Sequence, residues 1–211
     1  MRLERKSWSR MVLLGLSLAG LFSAQVLAFN VVQTGVVLAP MPQPLSRAVG
    51  DRWVQLRNDV ETVETRLISA TYATHTFENT DKCVVTRRKG TRFTPYISWI
   101  CPSGNGSNTV TNNGSPWPLE LGKQWSYAVS GKDGDGAQWS YDLDCEATDT
   151  ATVESALGTN DTYVVTCSHK WGTQTVYIAP SLGEQVYFIL EEGEKLVTYE
   201  VIEIDKSHSD P

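Results

Sequence analysis

The sequence predicts a mainly β protein: an antiparallel sheet, or two related β-units forming a sandwich or half-barrel, after a cleaved N-terminal signal helix. After residue 50, short runs rich in Val, Ile, Thr, Tyr and Trp alternate with glycine, asparagine and aspartate, which is typical of antiparallel strands and turns. Residues 59–67 are the best helix candidate, but their β-branched side chains favour a strand. All four cysteines lie in this strand-rich part.

The N-terminus has the layout of a secretory signal peptide. Its first ten residues carry four basic side chains against one acidic one, and residues 11–24 are almost wholly apolar. The small or modest side chains of residues 26–28 predict cleavage after Ala28, so residues 1–28 are interpreted as the signal peptide. If the segment 11–29 stayed uncut, it would nearly be long enough to span a bilayer. Membrane contact is therefore expected only for an uncleaved chain.

The net charge of the exported chain disfavours some classes of binding partner. Residues 29–211 hold 14 lysines and arginines against 23 aspartates and glutamates, a net charge of −9. Such a surface disfavours nucleic acid as a partner. The basic residues within 87–92 are interpreted as a solvated hairpin end, in preference to a docking patch for an anionic partner. Together with the signal peptide, this predicts a periplasmic or secreted protein.

Both ends of the exported chain differ in composition from its middle. Residues 29–49 form a proline-rich lead-in whose alternate prolines favour an extended, polyproline-like spacer or an outer strand. The polar residues 207–211 are predicted to form a tail.

Residues 50–206 are predicted to form a single β-rich domain, because a chain of this size can bury one sufficient core. Within it, the polar stretch 103–115 is rich in glycine, asparagine and serine, which predicts a long mobile loop. That loop would join two sub-units, residues 50–102 and 116–206. A G-x-x-W sequence opens at Gly50 and again 72 positions later, which is consistent with two related units.

The even number of cysteines predicts two disulfide bonds in an oxidising compartment. Four cysteines allow three pairings, and pairing between adjacent strands favours Cys83 with Cys101 and Cys145 with Cys167. Each bond would close a loop of roughly 20 residues and contribute about 3 kcal/mol to stability. No C-x-x-C spacing accompanies these cysteines, so no metal site is predicted.

Three hairpins are predicted from paired strand-like runs, at residues 124–144, 162–178 and 184–204. The turn of the first contains Asp133 and Asp135 among glycines. These aspartates suggest a calcium loop as an alternative, but the further acidic ligands of such a loop are missing. A glycine-rich hairpin turn is the preferred interpretation.

Aromatic residues occur in pairs two positions apart within the first hairpin. Such spacing places both rings of a pair on one face of a strand. This aromatic wall has two interpretations: the core of a sheet, which we favour, or the lining of a cavity for an apolar or sugar ligand. Its four members are Trp125, Tyr127, Trp139 and Tyr141.

Three sequence motifs lie along the domain: G-D-x-W at Gly50–Trp53, P-L-x-x-G-x-x-W at Pro118–Trp125, and Y-x-A-P-x-L-G-x-x-V at Tyr177–Val186. In these motifs the chain resembles a family of uncharacterised exported β-domains of proteobacteria, over roughly Gly50 to Asp205. The resemblance implies a β architecture and supplies no catalytic residue. In the last motif, Pro180 suits a strand end and Gly183 suits a tight turn.

Three classes of function are consistent with this sequence. The favoured one is a non-enzymatic envelope module that binds a protein, glycan or lipid, without a cofactor. The second is a carrier that holds an apolar ligand in a tryptophan-lined cavity. The third is an envelope hydrolase, which would need a histidine base or paired carboxylates. Its candidate residues are His75, His169, His208, Asp142, Asp144 and Glu146, all of which we interpret as structural or surface side chains.

Overall fold

The computed structural model describes residues 29–44, 47–89 and 95–207 of the chain. Within those ranges no helix is long and apolar enough to cross a membrane. The predicted signal peptide, His208 and residues 208–211 of the predicted tail lie outside them. The strands are β1 (Asn30–Thr34), β2 (Arg52–Arg57), β3 (Glu61–Ala70), β4 (Thr74–Asn79), β5 (Val84–Arg88), β6 (Ser98–Cys101), β7 (Gly104–Asn113), β8 (Gln124–Asp133), β9 (Gln138–Ser155), β10 (Gly158–His169), β11 (Gly172–Ala179), β12 (Glu184–Glu192) and β13 (Lys195–Asp205).

Twelve of these strands form a closed antiparallel β-barrel. Strand β9 pairs with β10 along one side and with β8 along the other, and β2 pairs with β13. The strand order therefore runs from β2 to β8, through β9 to β13, and back to β2. The predicted mainly β class is confirmed. The predicted sandwich or half-barrel is replaced by a closed barrel, because the first and last strands of the domain pair with each other.

Side chains alternate between the barrel interior and its surface, as strand geometry requires. On β8 the side chains of Trp125, Tyr127 and Val129 are buried. They pack with side chains from β9, β10 and β11, including Leu143, Cys145, Val165, Cys167 and Val176. Strands on the other side of the barrel contribute a second apolar cluster of Trp53, Leu67, Phe77 and Val201. Burial of these alternating side chains drives the folding of the barrel.

The barrel has two different ends. Consecutive antiparallel strands reverse direction at each turn, so the connections β2–β3, β4–β5, β6–β7, β8–β9, β10–β11 and β12–β13 all lie at one end. We call this the hairpin end. The remaining connections lie at the opposite end, which we call the plugged end because two chain segments meet there.

The plug consists of two segments: the part of the lead-in around Met41, which follows β1, and the segment around Leu119, which precedes β8. Met41 and Leu119 exchange two backbone hydrogen bonds of 2.8 Å each, and both side chains are buried in the barrel core. The hydroxyl of Tyr163, on the interior of β10, donates to the carbonyl of Ala39 at 3.0 Å. The lead-in predicted as a spacer or outer strand therefore forms β1 and then half of the plug.

The predicted loop at 103–115 is wrong for most of its length, because residues 104–113 form β7. This strand pairs with β6 on one side and with β8 on the other. It has one fully buried apolar side chain, Val110. Gly106 stands opposite Trp99, whose ring fills the place that a side chain at position 106 would take. The composition of this segment is typical of a loop, but Gly106 is in a strand and leaves room for the Trp99 ring that packs against it. The two predicted sub-units are therefore joined by a strand of the same barrel.

The three predicted hairpins are present as β8–β9, β10–β11 and β12–β13. Both predicted disulfide bonds are also present, Cys83–Cys101 and Cys145–Cys167. Cys145 and Cys167 are direct partners on adjacent strands within the core. Cys83 and Cys101 are half-buried and join the chain before β5 to the end of β6.

Strands β9 and β10 extend beyond the barrel wall as a protruding hairpin. β8 pairs with β9 as far as Glu146, and β1 pairs with β9 further along, at residues 151–154. In the protruding part, Ala151 and Val153 pack with side chains of β11 and β12 in a third apolar cluster. The hairpin tip reaches β13, where the N–H of Ala156 donates to the Glu200 carboxylate at 2.8 Å.

Candidate functional site

The four aromatic residues of the predicted wall share one face but lie at two levels. Trp125 stands opposite Cys145 and Tyr127 opposite Leu143, in the middle of the core. Tyr141 stands opposite Val129, and Trp139 stands opposite Gly131 near the turn of the hairpin. The first pair is buried and the second is half-buried. Trp125 and Tyr127 thus belong to the barrel core, whereas Trp139 and Tyr141 lie closer to the hairpin end and are partly exposed.

Tyr127 shows that the part of the aromatic wall that lies in the core is shielded from water. Its side chain is fully buried among Trp125, Leu143 and neighbouring strands. Burial raises the pKa of its hydroxyl to about 12, and the nearby Trp125 indole partly offsets this rise. A ligand could reach this level only by displacing packed core side chains. We therefore place any ligand contact at the half-buried level, towards the hairpin end.

At the half-buried level of the barrel, two tryptophan rings pack against glycines of neighbouring strands. The ring of Trp99 covers Gly106, and the ring of Trp139 covers Gly131, each from the adjacent strand. The ring centroids are 5.8 Å apart, with a 36° angle between the planes. Asn108 fixes this arrangement, because its Oδ1 accepts from Trp139 Nε1 at 3.0 Å while its amide donates to the Tyr96 carbonyl at 2.7 Å.

The row of rings continues from Tyr141 onto the β10–β11 turn. The Tyr141 ring lies 5.3 Å from the imidazole of His169 and 5.1 Å from the indole of Trp171. Lys170 Nζ lies 4.3 Å from the Trp171 ring centroid and donates to the Ser140 carbonyl at 2.7 Å, which ties this turn to β9. We call the five residues Trp99, Trp139, Tyr141, His169 and Trp171 the aromatic rim.

Open grooves lie beside Trp99 on the barrel wall. One has a volume of about 580 Å³ and lies between β6, β7 and the β8–β9 turn. A smaller one of about 280 Å³ shares Trp99, Asn105, Asp133 and Gly134 with it. The exposed lining of the larger groove is more apolar than polar, whereas that of the smaller groove is mostly polar. The polar residues that line one or the other also include Ser98, Ser103, Ser107, Lys132 and Asp135. Such a surface fits a polar ligand that also offers an apolar face.

The aspartates of the β8–β9 turn serve the turn itself. Asp133 Oδ1 accepts from the N–H of Asp135 at 3.0 Å and from the N–H of Ala137 at 2.9 Å. These bonds are those of an aspartate-capped turn. Within the described ranges, no group of three or more His, Cys, Asp or Glu side chains is placed to hold a metal ion.

The side chains considered for hydrolysis are scattered. Asp142 and Asp144 are exposed, and Glu146 accepts from the Gln124 amide at 3.0 Å. His75 is buried near the plugged end, where its ring meets Phe77 edge to face. Burial lowers the pKa of His75, and the cations Arg47 and Lys89 lower it further against a smaller effect of Asp51. His169 belongs to the aromatic rim, far along the chain and on another strand.

Three rim residues were not part of the predicted wall: Trp99, His169 and Trp171. Their signal in the sequence is weak, because Trp99 is a single aromatic residue near a strand end, and His169 and Trp171 lie at a turn between two strands. The glycines were the better clue. A tryptophan whose cross-strand partner is glycine has a flat bed for its ring, and Trp99 and Trp139 both have such partners.

The substitution Gly131→Ala tests whether packing of the Trp139 ring against Gly131 contributes to stability. A Cβ at this position would lie 2.1 Å from Asn108 Oδ1 and 2.5 Å from Trp139 Nε1, so the ring must move. We expect a loss of about 1–3 kcal/mol in the free energy of unfolding, with a change in tryptophan emission. The matched control is Ser130→Ala, at the exposed neighbouring position on β8. Urea unfolding of the two variants checks this; equal stability would show that the bed tolerates a methyl group.

The fold and the rim together define a class: a single closed β-barrel domain, plugged at one end and carrying half-buried aromatic rings at the other. No family model matches the chain, and no curated protein matches it. Among solved structures, it is similar to the hypothetical lipoprotein YmcC from Escherichia coli K12. The identity is 13%, the TM-score is 0.49, and the match covers 82% of this chain and 92% of that chain.

Proposed function

We propose that this chain is an exported, non-enzymatic module of the bacterial cell envelope that binds a glycan at its aromatic rim. One observation carries the proposal: Trp99 and Trp139 are packed against glycines beside open grooves whose lining mixes polar and apolar groups. Rigid rings offer large contact areas at low entropic cost. A sugar presents an apolar C–H face to such rings and hydroxyls to nearby amides and carboxylates.

The grooves favour a glycan over an apolar ligand. They are open, and in the larger one the polar residues Asn105, Ser107 and Asp133 lie beside the Trp99 ring. The barrel level below the rim is filled by Tyr127, Leu143 and Val165, which are almost fully buried. An acyl chain needs an apolar enclosure, and these packed side chains occupy the space where one would lie.

Export is supported by the covalent structure. Two disulfide bonds join the barrel strands, and such bonds persist in the periplasm or outside the cell but are rare in the cytosol. The basic and apolar N-terminal residues have the layout of an export signal, which supports the same location. We therefore place the protein in the periplasm or outside the cell, where envelope glycans are accessible.

Binding is tested by titrating the purified protein with soluble peptidoglycan fragments and with chitohexaose, and following tryptophan emission. We expect saturable changes, and for Trp99→Ala a loss of affinity of about tenfold or more. Tyr72→Ala is the aromatic control, since Tyr72 is 96% exposed and lies at the plugged end. Urea unfolding of each variant separates lost contacts from lost folding.

Two outcomes would count against glycan binding. If Trp99→Ala binds the fragments as tightly as the unaltered protein, the rim is not the site. If only vesicles of phosphatidylethanolamine and phosphatidylglycerol change the emission, and do so in a Trp99-dependent way, the ligand is a lipid and the carrier hypothesis replaces this one.

A further inference from the structure

A buried carboxylate on β13 stands apart from the cationic side chains of the part of the chain that the structure describes. Glu200 is 1% exposed, and no lysine, arginine or histidine of the described ranges lies within 4.0 Å of its carboxylate oxygens. It lies on the opposite strand face from its neighbours Tyr199 and Val201. Burying an unpaired carboxylate is costly, so its surroundings call for an explanation.

The groups around Glu200 come from three separate parts of the chain. The N–H of Ala156, at the tip of the protruding hairpin, donates to Oε1 at 2.8 Å. The backbone N–H of Phe29 also faces this carboxylate and favours its charged form. Tyr187 is the cross-strand neighbour on β12. Burial raises the pKa of Glu200, the two N–H donors oppose the rise, and the carboxylate of Asp59 adds to it.

Phe29 is held in place by its own side chain. Its ring stacks on Tyr187 with centroids 3.8 Å apart and planes within 5°, and it meets Tyr177 edge to face at 4.9 Å. Because Tyr187 is the cross-strand partner of Glu200, this stacking holds the backbone of Phe29 beside the carboxylate. Phe29 is also the residue that follows the cleavage position predicted from the signal sequence, Ala28.

We propose that Glu200 receives the α-ammonium group of Phe29, which is produced when the peptide bond between Ala28 and Phe29 is hydrolysed. Water supplies the hydroxyl group to Ala28 and the proton to the Phe29 nitrogen, so the step needs no other reactant. An uncleaved chain offers Glu200 one amide N–H from Phe29. A cleaved chain offers a cation with three donors, which compensates the buried charge that the two amides leave unpaired.

This site goes beyond ligand binding at the rim, since it lies on another face and concerns maturation. Cleavage would lock together β13, the protruding hairpin and the new N-terminus through one ion pair. The export signal and the final fold are then linked: the tie forms only in a processed chain.

The test uses the full chain, expressed with its own N-terminus and purified after export. Intact mass should show a product that begins at Phe29. The α-amine is then titrated by its rate of acetylation as a function of pH. A free α-amine titrates at about 7.7–8.0, and we expect the Phe29 amine to titrate at least about one pH unit higher, because the carboxylate favours its charged form.

Glu200→Gln removes the charge while keeping the shape. At pH 7 we expect its Phe29 amine to be acetylated about tenfold faster than in the unaltered protein, the change that one pH unit in titration implies. Glu191→Gln is the matched control, because Glu191 is an exposed glutamate on β12; it should react like the unaltered protein.

Three results would overturn the proposal: a product that begins at another residue, equal acetylation in Glu200→Gln and the unaltered protein, or an equal effect of Glu191→Gln. If Glu200→Gln cannot be purified folded, the titration of the unaltered protein decides alone. A Phe29 amine that titrates at about 7.7–8.0 would then refute the ion pair. None of these results bears on glycan binding at the rim.

Discussion

Replacing Cys145 and Cys167 together by alanine is expected to lower the free energy of unfolding by about 3 kcal/mol from the lost cross-link alone. The bond closes a segment with a sequence separation of 22 between adjacent strands. Both cysteines also lie in the main core cluster, so the missing sulfur atoms leave poorly packed space and add to the loss. Urea unfolding under non-reducing conditions measures the total.

The second disulfide bond provides the matched comparison. Cys83 and Cys101 have a similar sequence separation of 18, so the entropic contribution of their bond is nearly equal. They are half-buried, and their removal should cost less than that of the core pair. Equal losses for the two double variants would show that packing around the core sulfurs contributes nothing measurable.

Leu119→Ala is expected to cost about 2–5 kcal/mol, the range for a large apolar side chain removed from a core. Leu119 is 0% exposed and lies in the plug, where its backbone pairs with Met41 and its side chain enters the barrel core. The plug is irregular chain, so this prediction tests whether it belongs to the cooperative core.

Leu121→Ala is the control for the plug. Leu121 lies two residues away and is 61% exposed, so its truncation should change the free energy of unfolding by less than about 0.5 kcal/mol. Urea unfolding followed by tryptophan emission measures both variants. A small loss for Leu119→Ala, similar to that of Leu121→Ala, would mean that the plug can open without unfolding the barrel.

The sequence predicts the local features of this fold, such as its hairpins, but does not predict that the sheet closes into a barrel. Alternating residues and glycine-rich turns predict the hairpins β8–β9, β10–β11 and β12–β13, and the disulfide pairing follows from adjacent strands. Closure depends on β2 pairing with β13, two segments about 150 residues apart in the chain. No local pattern encodes that pairing. Strand β7 was missed because only one of its side chains is apolar and fully buried.

The candidate site was predictable in part for the same reason. The spacing of Trp139 and Tyr141 predicts a shared strand face, and both belong to the rim. Spacing alone could not separate them from Trp125 and Tyr127, because depth within a barrel depends on register with neighbouring strands. Trp99 joins the rim through β6 and β7, which the sequence had assigned in part to a loop.

Strand β1 has a protective consequence. The part of β9 that runs past β8 would, if left bare, offer its backbone groups as a template for a strand of another molecule. Asn30–Thr34 pairs along that part and occupies the template. The edge that remains is that of β1, which is short and irregular between Val31 and Gln33, and such edges resist pairing with another molecule. A shortened chain that lacked β1 would expose the edge of β9 and is expected to aggregate through it.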